Sequence, residues 1–304
     1  MRNLFRFEEI AAWPWPEAAT ILFGFAWGAM FGSFLNVVAH RLPRGESLAR
    51  HRSRCPRCGA AIHPTDNVPV IGWLRLGGRC RSCGGAIAAR YPLVEAGCGL
   101  ITMLLAWAEL VGGGRWLPRM AGGFPEGIDR MLGGDWRLLL ACCLHAAVAL
   151  VVVAWSLLDL AGWRPRSAKA WVPIMIAVAL VAGVPAIGPG GVLPSGGDWP
   201  PTWPGTQALA AALAGGAWGW LLGRAGTGTA VRFGLPLLGS VLGWQALTVV
   251  AIVTAAVWRT MTAFRLAPPA AAGLLLAAFG ALGLAFQGPL HARVSEALAV
   301  SFAR

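Results

Sequence analysis

Ala19-Thr-Ile-Leu-Phe-Gly-Phe-Ala-Trp-Gly-Ala-Met-Phe-Gly-Ser-Phe-Leu-Asn-Val-Val38 is a run of twenty residues without a charged side chain. An α-helix needs about 20 such residues to cross a hydrocarbon core of about 30 Å. Each run of this kind has to be helical, because an open strand edge leaves backbone polar groups unpaired in lipid. Outward from this run the pattern recurs. Apolar runs near 93–111, 138–158, 171–187, 207–222, 235–257 and 270–286 complete seven expected spans. The fourth, fifth and seventh are short, so one of them can be re-entrant. The fold class expected is an all-α polytopic membrane protein.

Composition agrees. Only 12% of the 304 residues are charged and 57% are hydrophobic, against about 25% charged in soluble domains. Mean hydropathy is +0.62. The net charge of +12 is carried almost wholly by arginine. Arginines between apolar runs point to a membrane surface, and basic loops mark the cytoplasmic side. Residues 39–91 hold ten arginines against Glu46 and Asp66, so this segment is expected in the cytoplasm. Alternation then returns Arg164, Arg166 and Lys169 to the cytoplasm and places Asp198, in a Gly- and Pro-rich loop, outside. Glu8 and Glu9 interrupt the start, which reads as leading into a retained span rather than a cleaved signal. Gly24, Gly28 and Gly32 recur every four residues, as do Ala211 and Gly215, a spacing that lets helix backbones approach closely. No long internal repeat stands out.

Residues 39–91 also carry Cys55-Pro-Arg-Cys58-Gly and Cys80-Arg-Ser-Cys83-Gly. Two C-x-x-C pairs about twenty residues apart point to zinc. Four thiolates make a closed tetrahedral site, structural rather than catalytic. A reducing cytoplasm favours metal over the competing readings, two short disulfides or an unmetallated thiol cluster. A segment this small, with little aliphatic core, is expected to fold only with its metal. Nucleic-acid binding is the lesser reading, since the segment lies between spans and lacks a stacking series of aromatics. Cys98, Cys142 and Cys143 lie in spans and read as small apolar fillers.

Gly32-Ser-Phe-Leu-Asn-Val-Val-Ala-His-Arg-Leu-Pro-Arg-Gly-Glu46 resembles the N-terminal signature of bacterial prepilin peptidases. The likeness continues through Cys55-Pro-Arg-Cys58, Asp66-Asn-Val-Pro-Val-Ile-Gly-Trp73, Gly78-Arg-Cys-Arg-Ser-Cys83 and Arg90-Tyr-Pro-Leu-Val-Glu95. A weaker likeness extends to Leu238-Gly-Ser-Val-Leu-Gly-Trp-Gln245. The resemblance implies an inner-membrane aspartic endopeptidase. Such enzymes cut the basic leader from type IV prepilins and type II secretion pseudopilins, and many methylate the new N-terminus with S-adenosylmethionine. It divides the chain into a first span (1–38), a cytoplasmic four-cysteine zinc module (39–91) and a membrane-embedded peptidase-like part (92–304). The expected partners are prepilin or pseudopilin leaders and the bilayer, with no nucleic acid.

The family uses two aspartates at the cytoplasmic membrane boundary. Asp159, in Leu158-Asp-Leu-Ala-Gly-Trp-Arg-Pro165, matches the first, with a loop one residue shorter than usual. The second follows a Gly-x-Gly turn, which here reads Gly226-Thr-Gly-Thr-Ala-Val-Arg-Phe233. Counting back from Leu238 puts Val231 in its place, and neighbouring registers offer Ala230 or Thr229. None is a carboxylate. Aspartic proteolysis needs one ionised and one protonated carboxyl sharing a site, and threonine cannot act as general acid or base near neutral pH. Two other carboxylates are candidates for the partner. Asp198, in Ser195-Gly-Gly-Asp198, lies on the wrong side, whereas Glu95 opens the second span on the side of Asp159. His145, inside the third span, is expected to make an interhelical hydrogen bond. Two functions stay open: a peptidase using another partner, or a catalytically silent relative that binds prepilins or aids assembly.

Overall fold

The computed structural model describes residues 15–49, 53–113, 128, 136–163, 172–183, 204–224, 227–242, 244–263 and 271–286. Among these the chain is helical, with only two isolated β-bridges. In chain order the α-helices are α1 (Trp15–Arg41), α2 (Ile71–Arg75), α3 (Arg90–Leu105), α4 (Arg137–Leu160), α5 (Val172–Gly183), α6 (Pro204–Arg224), α7 (Thr229–Leu242), α8 (Trp244–Ala263) and α9 (Ala272–Ala285). A π-helical turn, Ala106–Val111, continues α3.

Four segments are long and apolar enough to cross a membrane: Trp15–Arg44, Arg90–Val111, Arg137–Leu160 and Ala246–Ala263. The first three cover the first three expected spans. The fourth and seventh expected spans appear as helices of 12 and 14 residues. The fifth is α6, of 21 residues. The sixth expectation needs correction. Residues 235–257 are not one span but parts of two helices, α7 ending at Leu242 and α8 starting at Trp244. An apolar run reads the same whether it is continuous or broken. Here α7 has 14 residues, about 21 Å at 1.5 Å per residue, too short to cross alone. Every residue of α7 from Ala230 to Leu242 except Arg232 is buried. A helix apolar all round belongs inside a bundle, and α7 lies among α4, α6, α8 and α9.

Small residues make that enclosure possible. A Cβ on Gly215 or Gly219 would overlap the backbone of Leu235 or Arg232 on α7, and one on Gly239 would overlap Ala211 of α6. On the other side, a Cβ on Gly273 of α9 would lie 2.5 Å from the Ala230 side chain. The Gly24, Gly28 and Gly32 stripe does the same between α1 and α3. A Cβ on Gly28 would overlap Thr102 and Cys98, and one on Gly32 would lie 2.8 Å from the Cα of Glu95. Thr102 Oγ1 donates across this seam to the Gly24 carbonyl at 2.7 Å.

Helix α1 begins with Pro16, which needs no amide partner in a first turn, and Glu17, which complements the helix dipole there. It stops at Leu42-Pro43, where Gly45 takes a left-handed φ of 69° and donates its N–H to the Leu42 carbonyl at 3.1 Å. The chain then enters the four-cysteine module and returns to the bundle at α3.

Candidate functional site

The module is built from two copies of one knuckle. Cys55 N–H bonds the Ala60 carbonyl at 2.9 Å, and Gly59 N–H bonds the Cys55 carbonyl at 2.9 Å. Twenty-five residues on, Cys80 N–H bonds the Gly85 carbonyl at 2.8 Å and Gly84 N–H bonds the Cys80 carbonyl at 2.9 Å. Gly59 and Gly84 have φ of 70° and 66°, which explains the glycine after each pair. Antiparallel bridges close the knuckles, Arg54 with Ala61 and Arg79 with Ala86. The sequence contains this short repeat, Arg54-Cys-x-x-Cys-Gly-x-Ala-Ile62 against Arg79-Cys-x-x-Cys-Gly-x-Ala-Ile87. A search for long repeats passes over it.

The repeat brings all four thiols together. The Sγ atoms of Cys55, Cys58, Cys80 and Cys83 lie within 4.8 Å of one another, and none is in a disulfide. A four-sulfur donor set of this spacing could hold a metal ion, and the chemistry suits tetrahedral zinc. Backbone N–H groups of Cys83 and then Ser82 draw the Cys80 thiol down to about 7. At Cys58 the Ala60 amide pulls downward, but desolvation and the other three thiols together push it up to about 11. Cys80 is therefore poised to ionise before Cys58, and a cation would favour the thiolate at Cys58.

Around the cluster, Asp66 accepts from Arg75 at 2.5 Å and from Arg81 at 2.6 and 2.7 Å. Its side chain is only 3% exposed. Hydrogen bonds first from Arg81 and then from Arg75 hold its carboxyl well below the usual range. Asp66 thus ties α2 to the second knuckle. The Trp73 indole N–H donates to the Ile87 carbonyl at 3.0 Å. A cavity of about 630 Å³ opens between the module and the adjoining ends of α1 and α3, lined in part by Asn36, His40, Arg41, Trp73, Tyr91 and Glu95. This is the size of a small-molecule site. Asn36 Nδ2 donates to the Tyr91 carbonyl at 3.1 Å, fixing α1 to α3 at its wall. The sequence did not single out this cavity, because its walls come from three separate segments.

Glu95 has a definite task. Its Oε2 accepts the Val70 N–H at 2.7 Å. Val70 has φ 61° and ψ −53°, the positive-φ γ-turn that a β-branched residue seldom adopts. The suggested partner for Asp159 is thus engaged in fastening the module to α3.

Asp159 lies in the last turn of α4. Gly162 N–H bonds the Asp159 carbonyl at 3.0 Å and Trp163 N–H bonds the Leu158 carbonyl at 2.9 Å, with Gly162 at φ 74°. This is a Schellman ending. A carboxylate at its own helix C-terminus faces an unfavourable dipole. Asp159 Oδ2 instead accepts the Ala230 N–H at 2.6 Å, at the positive N-terminus of α7. Gly228, at φ 89°, lets the backbone come this close, since a Cβ there would lie 2.7 Å from Oδ2. The structure thus brings Asp159 to the glycine turn at Gly228 and Ala230. Residues 228 and 230 flank the carboxylate, while Val231 is fully buried. Thr229 lies between residues 228 and 230 in the chain, and helical geometry turns residue 231 about 200° from it. Asp198 and Gly226 lie outside the described residues.

His145 makes the interhelical bond expected of it, and its partner is Glu109. Nδ1 and Oε1 are 2.7 Å apart, and both side chains are at most 1% exposed. Glu109 sits in the π-helical turn, a feature enriched at functional positions. Glu109 Oε2 and His145 Nε2 have no partner among the described residues. Sequence reasoning missed Glu109 as a site, although an acidic residue inside an apolar run is a signal by itself. Cys98 and Cys142 are buried fillers, but Cys143 is exposed.

These features define a helical membrane protein with a four-cysteine module, and comparison gives it relatives. Residues 26–109 match the family described as Bacterial Peptidase A24 N-terminal domain. The prepilin leader peptidase/N-methyltransferase of Myxococcus xanthus is 51% identical over 89 residues, 29% of this chain and 25% of that one. The protein of the same name from Pseudomonas aeruginosa is 40% identical over 103 residues, 26% of this chain and 36% of that one. A type 4 prepilin-like proteins leader peptide-processing enzyme of Escherichia coli is 43% identical over 102 residues, covering 27% and 38%. Through this N-terminal segment the chain is similar to the prepilin peptidase family. The matched segment spans between a quarter and two-fifths of the length of these relatives. No solved structure matches the chain.

Proposed function

We propose that this protein acts on type IV prepilins or type II pseudopilins in the bacterial inner membrane, with the four-cysteine module and Asp159 on the cytoplasmic side. In this reading residues 39–91 form a zinc module held by Cys55, Cys58, Cys80 and Cys83. The rest of the chain, from residue 92, is the membrane-embedded peptidase-like part with up to seven crossings in all. The names of the relatives support prepilin processing, and the ten arginines of 39–91 support the orientation.

Two versions of the function differ in one step. In the first, the protein cleaves leaders. In the second, which we favour, it binds prepilins or assists assembly without cutting. The observation behind this choice is the seat of Asp159 on the α7 N-terminus, next to Thr229-Ala230-Val231, which supplies no carboxylate. The methylation named in the relatives is a separate matter. S-adenosylmethionine would supply an electrophilic methyl group to an unprotonated N-terminal amine. Asn36, Trp73, Tyr91 and Glu95, on the wall of the 630 Å³ cavity, are the residues to hold it.

A prepilin cleavage assay tests the choice, comparing wild type, Thr229→Asp, and Thr229→Asp with Asp159→Ala. We expect little cleavage by wild type, gain in the single variant and loss in the double. General acid–base assistance is worth about 10² to 10⁴ per positioned group, so a gain is readily seen. Efficient wild-type cleavage that survives Asp159→Ala would remove both the site and the silent reading.

A further inference from the structure

The four-cysteine module has two unlike parts. Its knuckle tips carry Pro56, Arg57, Arg81 and Ser82, all exposed. The segment leading into and through α2 carries Val68, Ile71 and Leu74, which are 42%, 61% and 63% exposed. Three exposed large aliphatic side chains within seven residues of a lobe this small call for a partner. We infer that the segment 67–74 is a membrane-inserted element, with Val68, Ile71 and Leu74 among the acyl chains of glycerophospholipids in the leaflet adjoining the module.

The first support is continuity with the lipid face of α1. That face displays Leu22, Phe23, Trp27, Met30 and Phe34, between 49% and 67% exposed. A groove of about 760 Å³ runs along it, walled by Met30, Phe34 and Val37 of α1 and by Val68, Val70 and Ile71. The module therefore extends the lipid-facing surface of a span.

The second support is depth. Val70 N–H is bound to Glu95, and the Cα of Glu95 sits against Gly32. Helix α1 has 27 residues, about 40 Å, which exceeds a 30 Å core by about 10 Å. Gly32 precedes Arg41 by nine residues, about 13 Å along the axis. Even if all the excess projects beyond the bilayer at the Arg41 end, Gly32 remains within the hydrocarbon. The Glu95 side chain leans from that level toward the N-terminus of α3, as helical side chains do, and carries the Val70 turn at the hydrocarbon boundary.

The third support is the backbone. A segment entering lipid has to satisfy its own polar groups. Pro69 has no N–H. Ile71 N–H bonds the Pro69 carbonyl at 2.6 Å, Gly72 N–H bonds Val68 at 2.8 Å, and Leu74 N–H bonds Val70 at 3.1 Å. Val70, which cannot bond within its strained turn, gives its N–H to Glu95 at 2.7 Å. A water-facing loop has no need of a carboxylate from another helix to satisfy one amide. Arg41, on the rim of the groove, suits the phosphate level above the acyl chains.

The experiment uses the full chain in nanodiscs of phosphatidylcholine and phosphatidylglycerol. A genetically encoded fluorescent amino acid is placed at Ile71 or Leu74, with Ser82 as the aqueous control, and metal content verifies folding of each variant. Lipids with a doxyl group near the headgroup end of the chain quench from the bilayer, and iodide quenches from water. We expect doxyl quenching at 71 and 74 several times that at 82, with the reverse order for iodide. Iodide quenching at 71 and 74 equal to that at 82 would overturn the inference. So would protection from both quenchers, which assigns the face to a protein partner.

Discussion

Breaking the Glu109–His145 pair should cost far more than deleting it whole. The two groups are 2.7 Å apart and at most 1% exposed, and their remaining polar atoms, Oε2 and Nε2, have no partner among the described residues. Removing one partner strands the other's polar atom unsatisfied in an apolar interior, a penalty of about 1–3 kcal/mol. Replacing both by apolar residues of similar volume removes that penalty, and such exchanges are often neutral or stabilising by about 1–4 kcal/mol. His145→Ala should therefore cost about 1–3 kcal/mol, while Glu109→Leu with His145→Leu should cost little. Glu109→Gln keeps an acceptor and should be mild, near the ~0.6 kcal/mol mean, ~1.7 maximum, of hydrogen bonds between membrane helices. The assay is reversible unfolding in mixed micelles with a rising fraction of dodecyl sulfate, read by circular dichroism. A small effect of His145→Ala, additive with that of Glu109→Ala, would refute a coupled pair.

Four further predictions concern the module and the α1–α3 seam. Cys58→Ser should abolish binding of about one zinc per chain and expose residues 53–89 to proteolysis, because metal binding supplies the folding free energy; elemental analysis and limited digestion report both. Zinc affinity should fall as pH falls, since the Cys58 thiol, up at about 11, and the Cys80 thiol, at about 7, both have to give up protons; metal titrations between pH 6 and 8 (about the range of the lower value) measure the slope. Asp66, held below the ordinary carboxylate value by Arg81 and Arg75, lends stability above its unfolded value of about 3.9 that is lost as pH falls through the folded one. Asp66→Asn should lower the melting temperature near neutrality and flatten that acid limb. Gly28→Val places carbon on the Thr102 and Cys98 atoms of α3; overpacking of this kind costs about 1–3 kcal/mol, and Gly97→Val, with open space around it, is the control.

What was legible in the sequence was local or periodic. The twenty uncharged residues of 19–38 and the spacing of Gly24, Gly28 and Gly32 fixed a span and its contact face, because a helix repeats its faces every few residues. The C-x-x-C-Gly pairs fixed the knuckles, because the turn needs glycine at positive φ. The break between Leu242 and Trp244 was hidden, since apolar residues suit a buried half-helix and a full span alike. Glu109 was overlooked and His145 left without a named partner. Their pairing depends on the π-helical turn and on how α3 meets α4, which no spacing within either helix specifies.

The Asp159 seat draws these points into one argument about what the α4–α7 junction does. A carboxylate at the C-terminal turn of α4 faces an unfavourable helix dipole, and the Ala230 N–H at 2.6 Å offsets that by supplying the positive end of another helix. The same contact gives buried α7 the only acidic side chain shown to meet its first turn among the described residues. An aspartate at residue 229 would crowd a second negative charge against the first, and two such carboxyls cannot both ionise easily; they would share a proton, as an acid–base pair requires. Threonine at 229 leaves Asp159 free of that repulsion and suited to hold α4 to α7. One residue thus separates a junction that stabilises the bundle from one strained toward chemistry.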